Sequence, residues 1–228
     1  MRNDAALAIM AKQPVVGRTK TRLVPFLTPG EAARLYQALL LDTIALAVQL
    51  TSLADLAIAV TPPDGCATIA EIAPSGALIF PVDGADIGAC LQQALGCLLE
   101  QGYHKALAIA SDGPSLPAAI LRQAVTTLED ADLVLGPGED GGYYLVGMKR
   151  PCRDIFEHID WSTDRVLRQT LEKAAGLGLH VNLLPPWYDV DTPDDLLRLQ
   201  ADLHRLDGGS LANTRAILEL LTPEARLR

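Results

Sequence analysis

The sequence predicts an α/β fold, a single domain with a mostly parallel mixed sheet and helices on both faces. Three observations lead to it. Short apolar runs alternate with longer segments whose apolar residues recur at helical spacing, and this alternation implies right-handed crossovers between parallel strands. The runs Ala5–Ala11 and Lys105–Ala110 are apolar at nearly consecutive positions, as strands buried on both faces are. Between residues 133 and 148 the rhythm breaks: two strand-like runs are joined only by a short glycine-rich link, which is where an antiparallel strand can enter the sheet.

Taken in order, Ala5–Ala11 reads as the first strand, ending in a loop that Pro14 and Gly17 keep from being helical. Thr28-Pro29-Gly30-Glu31 is a capping-box start with proline at the first helical position, and the helix it opens extends to about Leu50. Strands follow at 56–60 and 77–81, separated by a weak helix at 67–73. A helix over 87–101, a strand over 105–110 and a helix over 118–128 continue the alternation. After the paired strands at 133–135 and 143–148 come a helix at 166–175, a strand at 180–184 and a helix from the Thr192 cap to about Leu206. Asp207-Gly208-Gly209 ends it, and Leu211–Leu221 reads as one more helix in a C-terminal tail spanning about 208–228.

Composition narrows the function. The chain has 228 residues, 49% apolar and 21% charged, which suits one globular domain over its full length. Its formal charge of −9 argues against long nucleic acid, whose binding draws on many Lys and Arg contacts to phosphate. A single nucleotide needs only a local basic patch. Cys66, Cys90, Cys97 and Cys152 form no C-x-x-C pair and have no histidine at zinc-ligand spacing, so they read as plain thiols in a reducing cytoplasm. The N-terminal apolar run is too short for a signal-peptide core, and the tract from Ala38 to Val60 is broken by Asp42, Gln49, Thr51 and Asp55, so no membrane span is expected.

One stretch runs against the overall charge. No acidic residue lies between Asp4 and Glu31, yet Lys12, Arg18, Lys20 and Arg22 all do. With Gly17 bending the backbone, this loop can present N–H groups and cations to a di- or triphosphate, although it matches neither a Walker A loop nor Gly-x-Gly-x-x-Gly. Acidic residues gather at the ends of other strands: Asp112 after 105–110, Glu139 and Asp140 after 133–135, Asp189 and Asp191 after 180–184. In an open parallel sheet, ligands bind at those strand ends. Carboxylates facing a basic loop suit a polyphosphate bound with Mg²⁺ or Mn²⁺, which takes one or two carboxylates plus phosphate oxygens and water. Asp112 before Gly113-Pro114 is also ordinary turn chemistry, Asp140-Gly141 is a hairpin signal, and Asp194 and Asp195 serve the helix start. Trp161 and Trp187 fall in loops, as packing residues or pocket walls, and the four histidines are scattered.

Assembled, these segments resemble a bacterial family of candidate glycosyltransferases, the radical-SAM/selenodomain-associated transferases. The matching stretches are Ala11-Lys12-x-Pro14-x-x-Gly17-Arg18-x-Lys20-Thr21-Arg22-Leu23, Ser111-Asp112-x-Pro114-x-Leu116, Leu135-Gly136-Pro137-x-Glu139-Asp140-Gly141-Gly142-Tyr143-Tyr144-Leu145, Trp161-Ser162-Thr163 and Asp189-Val190-Asp191-Thr192-Pro193-x-Asp195-Leu196. The stretch Asp83-Gly84-Ala85-Asp86-Ile87-Gly88-Ala89 is similar to the family's Gly-Asp-Leu-Gly-Glu-Arg segment, but Ala89 and Cys90 stand where it has Glu and Arg. The resemblance implies the GT-A, or nucleotide-diphospho-sugar transferase, fold. It also implies a metal-dependent transferase acting on a nucleotide sugar and a small-molecule acceptor. Phospholactate guanylyltransferase and the molybdenum-cofactor nucleotidyltransferases share that fold and a similar first loop, which in them handles a nucleoside triphosphate.

On this reading Lys12, Gly17, Arg18, Lys20 and Arg22 bind phosphate, Asp112 and Asp191 hold Mg²⁺ or Mn²⁺, and Glu139 or Asp140, with Lys20, serves the chemistry. Nucleotidyl transfer with loss of pyrophosphate, and nucleotide binding without turnover, are the alternatives.

Overall fold

The computed structural model describes residues 2–24, 26–206 and 210–221. Seven strands form one sheet: β1 (Ala5–Lys12), β2 (Ala54–Thr61), β3 (Leu78–Pro81), β4 (Lys105–Ala110), β5 (Leu133–Pro137), β6 (Tyr143–Met148) and β7 (Val181–Leu183), in the spatial order β3-β2-β1-β4-β6-β5-β7. Strand β6 pairs antiparallel with both β4 and β5, and every other pairing is parallel. The helices are α1 (Pro29–Val48), α2 (Cys66–Ile72), α3 (Ile87–Glu100), α4 (Ala118–Thr127), α5 (Val166–Gly176), α6 (Pro193–Leu203) and α7 (Ala212–Leu220).

The central strands share one residue pattern. Leu7 lies beside Leu56 and Leu107, Ala8 beside Ala57 and Ala108, Ile9 beside Ile58 and Ile109. Strand side chains alternate between faces, so one face of the sheet centre is Leu and Ile and the other is alanine. The large residues join one core cluster with Leu40 and Ile44 of α1 and Leu121 of α4. The alanines join another with Leu91, Leu95 and Leu98 of α3. A third cluster lies beyond the strand ends, where Leu23, Leu35, Leu39, Val190, Leu196 and Leu199 pack together.

From β1 the chain moves outward to β2 and β3, then crosses back so that β4 lands on the other side of β1. The gap between the carboxyl ends of β1 and β4 is therefore the point where strand order reverses, the place such sheets bind ligands.

Elements were legible more reliably than their ends. Helix α1 stops at Val48, β2 begins at Ala54 and α6 ends at Leu203, each a few residues from expectation. Both capping boxes form: Thr28 with Glu31, and Thr192 with Asp195. Asp207–Gly209 and 222–228, assigned above to a helix stop and a tail, lie outside the described residues; the expected last helix is α7.

Candidate active site

The loop after β1 is built to aim Lys20. The Arg18 N–H donates to the Val15 carbonyl (3.0 Å), closing a turn whose third residue, Gly17, has φ 78°, as a type II turn requires. Thr19 is buried, and its hydroxyl accepts from the Val15 N–H (3.0 Å). Lys20 then takes φ 50°, a left-handed conformation that costs a non-glycine residue roughly 1 kcal/mol. One 3-10 turn follows at Thr21–Leu23, and the fully buried Leu23 fixes it in the third core cluster. Pinned on both sides, the Lys20 side chain is only 5% exposed, whereas Arg22 on the same turn is 71% exposed.

The Lys20 ammonium lies 2.6 Å from Asp112 Oδ2 and 2.6 Å from Asp191 Oδ1. Asp112 follows β4, and its carbonyl accepts from the Val190 N–H (3.0 Å), which ties that strand end to the segment before α6. Val190 is fully buried while the aspartates flanking it both line the cleft. Position 113 must be small: a Cβ there would stand 2.8 Å from Asp189 Oδ1. Helix α1 braces the assembly through Tyr36, whose hydroxyl accepts from the Lys12 N–H (2.8 Å) and pairs with Ser111 Oγ (2.9 Å), linking the ends of β1 and β4.

Charge state follows from this packing. Burial alone would push the Lys20 ammonium toward neutrality, but Asp112 and Asp191 outweigh it and hold Lys20 well above the ordinary lysine range. Asp191 is partly buried, yet Lys20 keeps its carboxyl below the usual range, helped by Arg22 at 3.8 Å. Asp189 goes the other way: burial first, then the neighbouring Asp112 and Asp191, raise it well above the carboxylate range despite Lys20. Its Oδ1 is buried and has no hydrogen-bond partner among the described residues.

These groups open into a cleft of about 790 Å³, with Lys12, Arg18 and Arg22 among its lining. Neither Lys12 nor Arg18 forms an ion pair with a carboxylate among the described residues. Asp140 also lines it, its Oδ1 accepting from the Gly142 N–H (2.9 Å). Gly141, at φ 89°, allows the hairpin tip to touch the 161–164 segment: a Cβ there would be 2.3 Å from the Asp164 carbonyl oxygen. Trp161 packs on Gly88, against the edge of Tyr143 and stacked with Phe156. The α3 side contributes Ile87 and Leu91, flanking the Ala89-Cys90 pair that departs from the resembled family.

Most of the expected residues converge. Lys12, Arg18, Lys20, Arg22, Asp112, Asp140 and Asp191 all line this one cleft. Gly17 shapes the turn without lining it. Glu139 is the correction: it is not among the lining residues, and its carboxylate is held in a two-pronged pair with Arg198 (2.5 and 3.0 Å), which lowers its pKa. Its neighbour Asp140 is the hairpin's acid in the cleft. Tyr36 had no distinctive signal in the sequence, since a tyrosine on an apolar helix face reads as core; in the 162–164 wall, Ser162 and Thr163 belong to a stretch that carries the family resemblance and Asp164 alone had no signal. Trp187, which could have walled the pocket, donates from Nε1 to Ser115 Oγ (3.2 Å) instead.

The donor set suits a hard divalent ion. Asp112 and Asp191 converge on one point of positive charge, and Asp189 of the same cleft has a buried oxygen with no hydrogen-bond partner among the described residues. No ready-made cage of three His, Cys, Asp or Glu side chains occurs among the described residues. A magnesium-type ion does not need one, because phosphate oxygens and water complete its shell.

The sheet order, the single antiparallel strand and the cleft at the reversal point define a nucleotide-diphospho-sugar transferase fold. The chain belongs to the bacterial family described as "Uncharacterized protein conserved in bacteria (DUF2064)", whose model matches residues 43–163. Among solved structures it is similar to a candidate nucleotide-diphospho-sugar transferase from Desulfovibrio desulfuricans G20, at 28% identity and TM-score 0.88, covering 98% of this chain and 97% of that one. Two more distant structures share the fold. Rv0371c of Mycobacterium tuberculosis H37Rv, in complex with manganese, has 20% identity and TM-score 0.53 over 87% of this chain and 98% of that one. CMP:2-keto-3-deoxy-manno-octonic acid synthetase complexed with CTP has 12% identity and TM-score 0.53 over 88% and 98%. No curated protein matches the sequence. Among the described residues no helix is long and apolar enough to cross a membrane, and all four cysteines are free thiols.

Proposed function

We propose that the protein is a cytoplasmic, metal-dependent transferase that takes a nucleotide-activated sugar as donor and a small hydroxyl-bearing molecule as acceptor. The observation that carries this is the meeting of Lys20 with Asp112 and Asp191 at 2.6 Å, in a cleft rimmed by Lys12, Arg18 and Arg22. The likeness to the Desulfovibrio desulfuricans candidate transferase over nearly the whole chain favours the sugar donor.

Lys12, Arg18 and Arg22 bind the diphosphate at the rim, and Lys20 faces the charge that builds on the departing nucleoside diphosphate. Asp112 and Asp191 hold Mg²⁺ or Mn²⁺, which when bound neutralises phosphate oxygens. Asp140 accepts the proton of the acceptor hydroxyl as that oxygen bonds to the sugar's anomeric carbon and the anomeric carbon–phosphate oxygen bond breaks.

Nucleotidyl transfer is the second reading, favoured by the likeness to a synthetase complexed with CTP and by a cationic loop rich enough for a triphosphate. Here a phosphorylated acceptor attacks the α-phosphate and pyrophosphate leaves. A thermal-shift screen of nucleoside triphosphates and nucleotide sugars, with and without Mg²⁺ or Mn²⁺, identifies the donor, because a ligand of the native state raises apparent stability. Product analysis then separates the two: nucleoside diphosphate released from a nucleotide sugar supports the first, pyrophosphate released from a triphosphate the second. Metal-independent binding of every nucleotide, with no turnover on any acceptor, removes both.

A further inference from the structure

We propose that Lys20 is a built-in occupant of the cation site, closing Asp112 and Asp191 around its own ammonium until a polyphosphate draws it away and frees both carboxylates for a divalent ion. The inference rests on the reading of Asp112 and Asp191 as metal ligands. What it adds is an order of events and a residue that enforces it.

The ammonium is equidistant from the two carboxylates, at 2.6 Å, and spends two of its three N–H donors on them. It is the cation of its loop driven inward, with a side chain 5% exposed against 71% for Arg22. The backbone accepts a left-handed residue at position 20 to place it there, between buried Thr19 and buried Leu23. The ammonium takes one oxygen of each carboxylate, Asp112 Oδ2 and Asp191 Oδ1, and its charge opposes a divalent ion brought to the same pair, so the two cations compete for the site. With Lys20 in place, the two carboxylates and the ammonium carry a net −1, so a free divalent ion meets a half-neutralised site. An incoming polyphosphate offers the ammonium another anionic partner. Metal and polyphosphate therefore bind with positive coupling, which runs equally in both directions.

The test measures Mn²⁺ alone binding to the full chain, by loss of the free-ion electron paramagnetic resonance signal. Lys20→Met is expected to bind Mn²⁺ at least tenfold more tightly than the unaltered chain. Arg22→Met, which removes a like charge beside Asp191 without emptying the space between the carboxylates, should gain less than threefold. Equal affinity of Lys20→Met and the unaltered chain, with Asp112→Asn abolishing binding in both, overturns the proposal and leaves the metal site standing. No Mn²⁺ binding by any variant overturns the metal site and the proposal with it.

A measurement on the unaltered chain covers failure of Lys20→Met to fold. The ¹⁵Nζ resonance of Lys20 should be visible without ligand, since two carboxylates slow its proton exchange. It should shift or vanish on adding inorganic pyrophosphate, without metal, at a concentration that raises Tm. An unchanged resonance under those conditions overturns the proposal.

Discussion

Asp189 is the residue at which folding and function pull apart. Its Oδ1 is buried without a hydrogen-bond partner among the described residues, and burial together with Asp112 and Asp191 raises its pKa well above the ordinary carboxylate range, with Asp140 adding a little and Lys20 opposing. A folded-state pKa above the unfolded value of about 3.9 means that protonation stabilises the fold fully below that value, and that this stability is lost as pH rises through the raised value. Asp189→Asn removes the titration and keeps the shape. It is expected to raise Tm, with a gain over the parent that is larger at pH 8 than at pH 5. Activity should fall at the same time, since Asp189 lines the cleft beside Asp191 and carries a carboxyl perturbed by burial and by its charged neighbours, the kind of group that gathers at functional sites. Thermal melts across that pH range check the first statement and a turnover assay the second. A parent as stable as Asp189→Asn at pH 8 would contradict the electrostatic account.

At the scale of elements, the hairpin tip between β5 and β6 depends on one glycine. Gly141 sits at φ 89°, and a Cβ there would meet the backbone of Asp164, its oxygen at 2.3 Å, so neither the torsion nor the space admits a side chain. The Leu167 N–H donates to the Gly141 carbonyl (2.9 Å), so the tip is also what starts α5. Gly141→Ala is expected to cost about 1–3 kcal/mol and to displace the 161–164 wall, read as increased Trp161 fluorescence quenching and weaker substrate binding. The same hairpin shows how far sequence reasoning reaches. The glycine-rich link and the apolar run 143–148 disclosed an antiparallel strand because strand pairing across so short a link has one outcome. Nothing local disclosed that Glu139 turns out to Arg198 while Asp140 turns into the cleft, since that choice is made by Arg198, 59 residues later. Likewise the Leu/Ile and Ala positions of β1, β2 and β4 are plain in the sequence, but the alanine face exists only once the register sets Ala8 beside Ala57 and Ala108. The basic loop and Asp112 could be paired by charge alone. Tyr36 could not, because its role depends on β1 and β4 being neighbours.

For the whole molecule, the C-terminal helices are the foundation of the site. Leu23, just past Lys20, and Val190, between the two aspartates, share a core cluster with Leu196 and Leu199 of α6 and Leu218 of α7, so the cation and its partners rest on one apolar base. What docks α7 is a charge: Asp42 of α1, only 4% exposed, accepts from the Asn213 N–H (3.2 Å), Asn213 Nδ2 (2.8 Å) and the Thr214 N–H (2.7 Å). A carboxylate from another helix thus does for α7 what an N-cap does locally, satisfying orphan amides and opposing the positive end of the helix. Hydrogen bonds to a charged group contribute about 1.5–3 kcal/mol, and Asp42→Ala also leaves two backbone amides without their acceptor. The expected loss is about 3 kcal/mol, or roughly 6–12 °C in Tm for a chain of this size. Hydrogen exchange should quicken first across 212–220, while β1 and β4 stay protected until global unfolding. If α7 is the base proposed, the aspartate segment 189–191 should quicken with it and substrate affinity should drop, although Asn213 and Thr214, which donate to Asp42, do not line the cleft. A variant that melts early yet exchanges uniformly, with 189–191 no faster than β4, would show that Asp42 stabilises the fold without setting the site.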